Sequence, residues 1–373
     1  MLFLLIATVA IGTTPAEAFN QAFPEYGQTW GPCADRDEAT YSFTSGAPWT
    51  QSLKDQFEQG YDAWFEDVED YNGGYLLSKT GNGWNARWGN LGVNGPLAVT
   101  ACYLWVNDIT FNDKLWSSYD GGTLKMPAVA AHEWGHALGL GHSGEKDLPF
   151  SWEEPPTMAT CFGASTLAQA SLSRDDEAGL IAENENVSGW NTATANSSFE
   201  ENEASHKEYW ITQNVSSFYA STSGGGVDGG SWYGKFKAVP GVTNGAIYSD
   251  TFITAKNGEW FKGRANFRKN STGDYGTVKV TIKIREWDHS GNGCGKLNDK
   301  SVVGGWLWSN KTCVPSNSWA YCTTSQVTSG DGDDRIVQAR VVLYNNMLWN
   351  LDGGTNTYVR ADRTRVMIAG FSL

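Results

Sequence analysis

The chain has little charge and little histidine. Lys, Arg, Asp and Glu make up 18% of its 373 residues, and acids outnumber bases 41 to 27. The formal net charge of −14 argues against nucleic acid or an anionic membrane as partner, since both attract basic surfaces. Beyond the N-terminus no stretch reaches the ~18 apolar residues of a membrane-crossing helix, so no membrane span is expected. So low a charge content also disfavours a helical bundle, and the 43 Gly and 18 Trp favour β-rich, exported material with many turns.

The first eleven residues, Met1 to Ile11, are mostly apolar, and Ala16-Glu17-Ala18 follows. An apolar core before A-x-A reads as a secretory signal peptide over 1–18, leaving a short N-terminal segment over 19–35 and an extracellular location. Six Cys in an exported chain suggest disulfides. Cys33, Cys102 and Cys161 precede the inferred domain boundary, and Cys294, Cys313 and Cys322 follow it. Either one bridge crosses between domains or two thiols stay free; Cys313–Cys322 is the preferred local pair.

Three of the 5 His lie close together, in His132-Glu133-Trp134-Gly135-His136-Ala137-Leu138-Gly139-Leu140-Gly141-His142. Residues four apart share a helix face, so His132 and His136 can point two imidazoles at one spot with Glu133 beside it. A glycine at 139 in the left-handed conformation would end the helix and turn the chain, bringing His142 to the same spot. Three imidazoles with one open position describe a catalytic zinc site. Zinc acidifies water, and Glu133 is placed as general base and then acid. One zinc is expected.

This extended motif resembles that of the metzincin zinc endopeptidases, and Ser143 after the third His resembles the matrixin branch and its small bacterial relatives. Pro156-Thr157-Met158 resembles the segment carrying the family's Met-turn, which implies Met158 as a hydrophobic floor under the metal. Leu172 to Leu180 resembles the start of the last catalytic-domain helix in matrixins. The resemblance spans about 36–185 and implies a secreted metalloprotease, a zinc-dependent hydrolase acting on protein or peptide substrates. An insertion over 144–155 departs from it. Gly31-Pro32-Cys33 lacks the rest of the family's inhibitory propeptide motif, so a disulfide is the preferred role for Cys33. The expected class is an α+β metzincin-like domain, a twisted mixed sheet with the zinc helix, followed by an all-β jelly-roll sandwich.

Within 36–185, Ala39 to Thr44 alternates as a strand, and Trp49, Leu53, Phe57, Tyr61 and Trp64 recur at helical spacing. Short strands are expected over 84–88, 97–105 and 107–113. The second of these resembles, by position, the family's cleft-edge strand; an ordinary buried strand is the alternative. The carboxylates of Asp108 and Asp113 are candidates for structural calcium, with solvated turns the preferred reading. Phe162 could line the pocket for the side chain after the scissile bond. Ser173 with Asp176 three residues on reads as a capping box.

Residues 186–198 are polar and read as a linker. Over 199–373, strands separated by Gly and Asn turns predict a β-sandwich. Asn196 to Glu200 and Val359 to Val366 resemble galactose-binding-like modules, which implies a carbohydrate or cell-surface ligand. Trp232, Trp260, Trp306, Trp308 and Trp349 are candidates for stacking on sugars, with core packing the preferred role for most. The expectation is a secreted, monomeric zinc endopeptidase. The alternatives are a carbohydrate- or matrix-binding protein with a vestigial protease domain, and a zinc amidase on a non-peptide substrate.

Overall fold

The computed structural model describes residues 38–369 with interruptions, chief among them 67–77, 141–156, 200–209 and 289–301. The signal segment, Cys33, His142, Cys161 and Phe162 lie outside the described residues.

The first part contains β1 (Glu38–Phe43), α1 (Gln51–Glu66), β2 (Ser78–Gly89), β3 (Ala98–Tyr103), β4 (Val106–Asn112), the short α2 (Trp116–Tyr119), α3 (Met126–Ala137) and α4 (Arg174–Asn184). Its four strands are ordered β1-β2-β4-β3. β1, β2 and β4 run parallel, and β3 pairs antiparallel to β4. The helical stripe read from the sequence is the buried face of α1: Leu53, Phe57, Tyr61 and Trp64 enter one core with Trp134 and Phe111. Trp134 is ringed edge-on by Tyr41, Phe57, Tyr61, Phe65 and Trp84. Helices α1 and α3 touch at Gly60, where a Cβ would press on the Ala131 nitrogen at 2.6 Å and the Ala130 Cβ at 2.8 Å.

The second part is built from β5 (Asn186–Val187), β6 (Trp190–Thr192), β7 (Ile211–Gln213), β8 (Val215–Ser221), β9 (Tyr233–Ala238), β10 (Gly245–Asn257), β11 (Trp260–Lys269) and β12 (Asp274–Asp288). It continues with β13 (Val302–Cys313), β14 (Ala320–Thr323), β15 (Val327–Thr328), β16 (Asp331–Trp349), β17 (Thr355–Asn356) and β18 (Tyr358–Ala369). One sheet runs β13-β12-β16-β10-β7, with β17 on β16. The other runs β14-β11-β18-β6-β5, with β9 joined to β18 and β8, and β15 to β11. Alternation explains the sandwich. Val278, Val280, Ile282 and Ile284 of β12 enter the core shared with Phe261, Phe267 and Val366 of the opposite sheet, while Lys279, Lys283 and Arg285 point outward. Cys313–Cys322 is a disulfide tying β13 to β14.

Two expectations need correcting here. The α+β class does not describe the molecule, whose described residues are 54% strand and 19% helix. Its mass lies in the two large sheets, and a four-stranded sheet with two long helices is the smaller part. The 186–198 stretch read as a linker carries β5 and β6, and Met367 and Ile368 of β18 pair with Thr192 and Asn191 of β6.

Candidate functional sites

The first site lies on α3. Pro127 stands in its first turn, and almost every residue from Met126 to Ala137 is buried, as in a helix packed on all sides. His132 and His136 lie one turn apart, with ring centroids 4.8 Å from each other. His132 Nδ1 lies 2.7 Å from the Thr157 carbonyl and His136 Nδ1 lies 2.8 Å from the Leu140 carbonyl. A carbonyl can only accept, so in each ring Nδ1 carries the proton and Nε2 the lone pair, the tautomer a metal requires. Gly139 has φ +97° and the helix stops just before it, as the sequence required. His136 and Gly135 carbonyls accept from the Gly139 and Leu140 N–H groups.

Glu133 is 5% exposed. Burial raises its carboxyl to about 7, against the lowering effect of hydrogen bonds from Thr100. Thr100 of edge strand β3 donates to the Glu133 carboxylate at 2.7 Å. Burial, and secondarily the Glu133 charge, push Tyr119 upward as well. Met158 is buried against the α3 backbone, where any side chain at Gly135 would collide with its Sδ. The turn bearing it is held by Asp176. That carboxylate accepts from the Thr157 and Met158 N–H groups at 2.8 and 3.0 Å, and from the N–H and Oγ of Ser173, each at 2.8 Å. The capping box is therefore present, and it also clamps the turn whose carbonyl orients His132. The sequence reading missed Thr100 and this second duty of Asp176.

Two imidazoles with fixed tautomers beside a buried carboxylate suit zinc by their chemistry. Among the described residues there is no group of three or more His, Cys, Asp and Glu able to hold a metal; His142, the expected third ligand, lies outside them. The calcium candidates are engaged elsewhere. Arg87 and Asn85 take the two Asp108 oxygens at 2.9 Å each, and Lys114 pairs with Asp113 at 3.1 Å.

The second site is the outer face of β13-β12-β16-β10. A shallow cavity of about 370 Å³ is lined by Lys279, Thr281, Lys283, Trp306, Trp308, Asn310 and Tyr344. Pairing explains the group: Lys283 is flanked by Trp308 on β13 and Arg340 on β16, Thr281 by Asn310, and Lys279 by Tyr344. Trp308 is 60% exposed. The register shift after Ile284, with Gly304 at φ +75°, marks a bulge in β13 that brings Trp306 beneath two guanidinium groups, Arg285 at 4.8 Å and Arg340 at 5.1 Å. Arg340 pairs bidentately with buried Asp250 at 2.6 and 2.8 Å; burial lowers its pKa, but the Asp250 hydrogen bonds and charge leave it raised. Burial, then Arg340 and Lys279, lowers Lys283. Of the tryptophans singled out from sequence, Trp306 and Trp308 meet here, whereas Trp260 is on β11 of the other sheet.

No family model matches the chain, and no curated protein matches it. Among solved structures it is similar to the enzymatically active domain of bacteriophage CBA120 tailspike protein 4, at 10% identity and TM-score 0.29, over 48% of this chain and 21% of that one. It is similar to the CBM22-1 xylan-binding domain of Paenibacillus barcinonensis Xyn10C, at 12% identity and TM-score 0.28, over 46% and 91%. TmCBM61 in complex with β-1,4-galactotriose matches at 11% identity and TM-score 0.27, over 46% and 94%. The expected metzincin, matrixin-like family is corrected on other grounds: no family model or curated protein supports it, and no three-ligand metal group stands among the described residues. The physical reason is that an eleven-residue motif specifies one helix and its turn, whereas most of the described structure is strand.

Proposed function

We propose that this chain binds carbohydrate on the outer face of the β13-β12-β16-β10 sheet. The observation that supports it is Trp308, a large aromatic left 60% exposed in a cavity that Trp306, Tyr344, Thr281 and Asn310 also line. A flat apolar ring bordered by hydrogen-bonding groups suits a sugar, whose C–H faces stack while its hydroxyls find donors and acceptors. The test is titration of the full chain with a panel of soluble polysaccharides by calorimetry. Trp308→Ala is expected to weaken binding by roughly 1.5–3 kcal/mol, the worth of one buried aromatic, with thermal stability unchanged. Binding that ignores the substitution, or no binding by the parent chain, refutes the reading.

The paired imidazoles of α3 favour a second activity on the same chain, zinc-dependent hydrolysis of a peptide or related amide bond. His132 and His136 would hold zinc through Nε2, and the sequence motif supplies His142, outside the described residues, as the further candidate ligand. Bound there, zinc supplies a Lewis acid that polarises the scissile carbonyl and activates water. Glu133, held by Thr100, takes the proton and returns it to the leaving amine. Edge strand β3 offers its backbone to an extended substrate. Two measurements test this: metal content of the purified chain, and digestion of a peptide library with and without chelator. Glu133→Gln is expected to keep the metal and lose activity by about 10²–10⁴-fold. A metal-free chain, or cleavage that survives Glu133→Gln, overturns it.

A further inference from the structure

The aromatic face carries a charge imbalance opposite to that of the whole chain. In a protein of net charge −14, Lys279, Lys283, Arg285 and Arg340 gather on one patch where, among the residues whose side chains are described, Asp250 is the acid, and both Asp250 oxygens are committed to Arg340. The cross-strand neighbours of Lys283 are Trp308 and Arg340, and among the described residues no carboxylate forms an ion pair with Lys279 or Lys283. Instead Lys279 Nζ lies 3.9 Å from the centre of the Tyr344 ring. Like charges placed side by side on a sheet cost stability, and burial adds to that cost at Lys283. An anion on this face would relieve both. Lys279 and Lys283 are four residues apart on one strand face, roughly 13 Å at strand rise, a distance a few linked sugars can cover.

Resting on the carbohydrate reading above, we propose that this face takes an acidic glycan: anionic groups on the polymer pair with Lys279 and Lys283 while Trp308 stacks on a sugar ring. Carboxylate and sulfate share the chemistry required. The test compares neutral and acidic partners on the full chain: galactan with polygalacturonate for carboxylate, dextran with dextran sulfate for sulfate, and inorganic polyphosphate as a charge without sugar. In at least one pair the acidic member should bind about tenfold tighter or better, equivalent to ~1.4 kcal/mol, with the advantage shrinking as salt rises. The pair that shows it identifies the anion. The double variant Lys279→Gln/Lys283→Gln should remove the preference, so that on that variant the acidic and neutral members of the pair bind alike, whereas Trp308→Ala should weaken both. Equal affinity for neutral and acidic partners, or a preference that survives the double variant, overturns the acidic ligand and leaves carbohydrate binding standing. Polyphosphate bound as tightly as the acidic glycans and indifferent to Trp308→Ala overturns it as charge alone. Failure of every glycan to bind overturns the carbohydrate reading beneath it.

Discussion

Asp176→Ala tests how the histidine site is held. The carboxylate accepts four hydrogen bonds, from the N–H groups of Thr157, Met158 and Ser173 and from Ser173 Oγ. A hydrogen bond to a charged group contributes about 1.5–3 kcal/mol, so four would sum to roughly 6–12. Burial opposes them strongly enough that the Asp176 pKa stays above the usual carboxylate value, and the gross sum cannot be the net. The relevant magnitude is that of breaking a buried charged network while orphaning its donors, ~3–5 kcal/mol. At ~2 °C per kcal/mol for a chain this long, Tm should fall by about 6–10 °C in calorimetry. Asp176→Asn keeps one oxygen in place for three of the donors and should lose about half as much. Because the Thr157 carbonyl accepts from His132 Nδ1, retention of zinc at the proposed site would fall in parallel. A Tm within ~1 °C of the parent would show that the clamp does not hold.

Three other perturbations read other contacts. Gly60→Ala places a methyl group against the backbone of α3 and should cost ~1–3 kcal/mol or more by overpacking; an unchanged Tm would mean that the helices are further apart than described. Replacing Cys313 and Cys322 by Ser opens a loop with a sequence separation of 9 and should lower stability by about 2.5 kcal/mol on the chain-entropy model, measurable by urea titration with and without reductant. Lys283 has its pKa lowered in the fold by burial and then by Arg340 and Lys279, so the folded state holds this proton less firmly than the unfolded chain. Parent stability should therefore rise as pH approaches the ordinary lysine value of 10.5. Lys283→Gln should lack that part of the rise; identical pH profiles would count against the crowding of charge.

What was legible in the sequence follows from period and contrast. The stripe of α1 announced itself because apolar and polar residues keep strict phase there, and the same alternation runs through β12, Asp274–Asp288. β13 shows no such phase. Gly304 and Gly305 break its pattern, and as an edge strand it keeps Leu307 and Trp308 both exposed, so no alternation survives. That strand carries both tryptophans of the aromatic site, which explains why they could be nominated but not assembled. The side-by-side placement of His132, Glu133 and His136 on α3 was legible, since i, i+4 spacing is local. Thr100 and the Thr157 carbonyl come from 33 and 25 residues away, and no local pattern points to them. The family resemblance failed at a different level, because a short motif was extended to a fold.

Helix α4 decides whether the two parts behave as separate bodies. Its Leu180 and Ile181 enter the core of the first part, and its Ala178 and Ala182 enter the core of the sandwich. Its first turn also supplies Asp176 to the Met158 turn. A helix shared in this way cannot melt with one core without exposing apolar surface of the other. Of the short strands that follow it, β6 pairs with β18 and β5 with β6, so part of the polar stretch read as a linker belongs to a hairpin at a sheet edge. Cooperative unfolding in one calorimetric transition is therefore expected, with calorimetric and van't Hoff enthalpies in agreement. A larger residue at Ala182, Ala182→Leu, should lower that single transition by overpacking the sandwich side. Two resolved transitions, with Ala182→Leu moving only the sandwich's and Asp176→Ala only the other, would show that α4 belongs to one core alone.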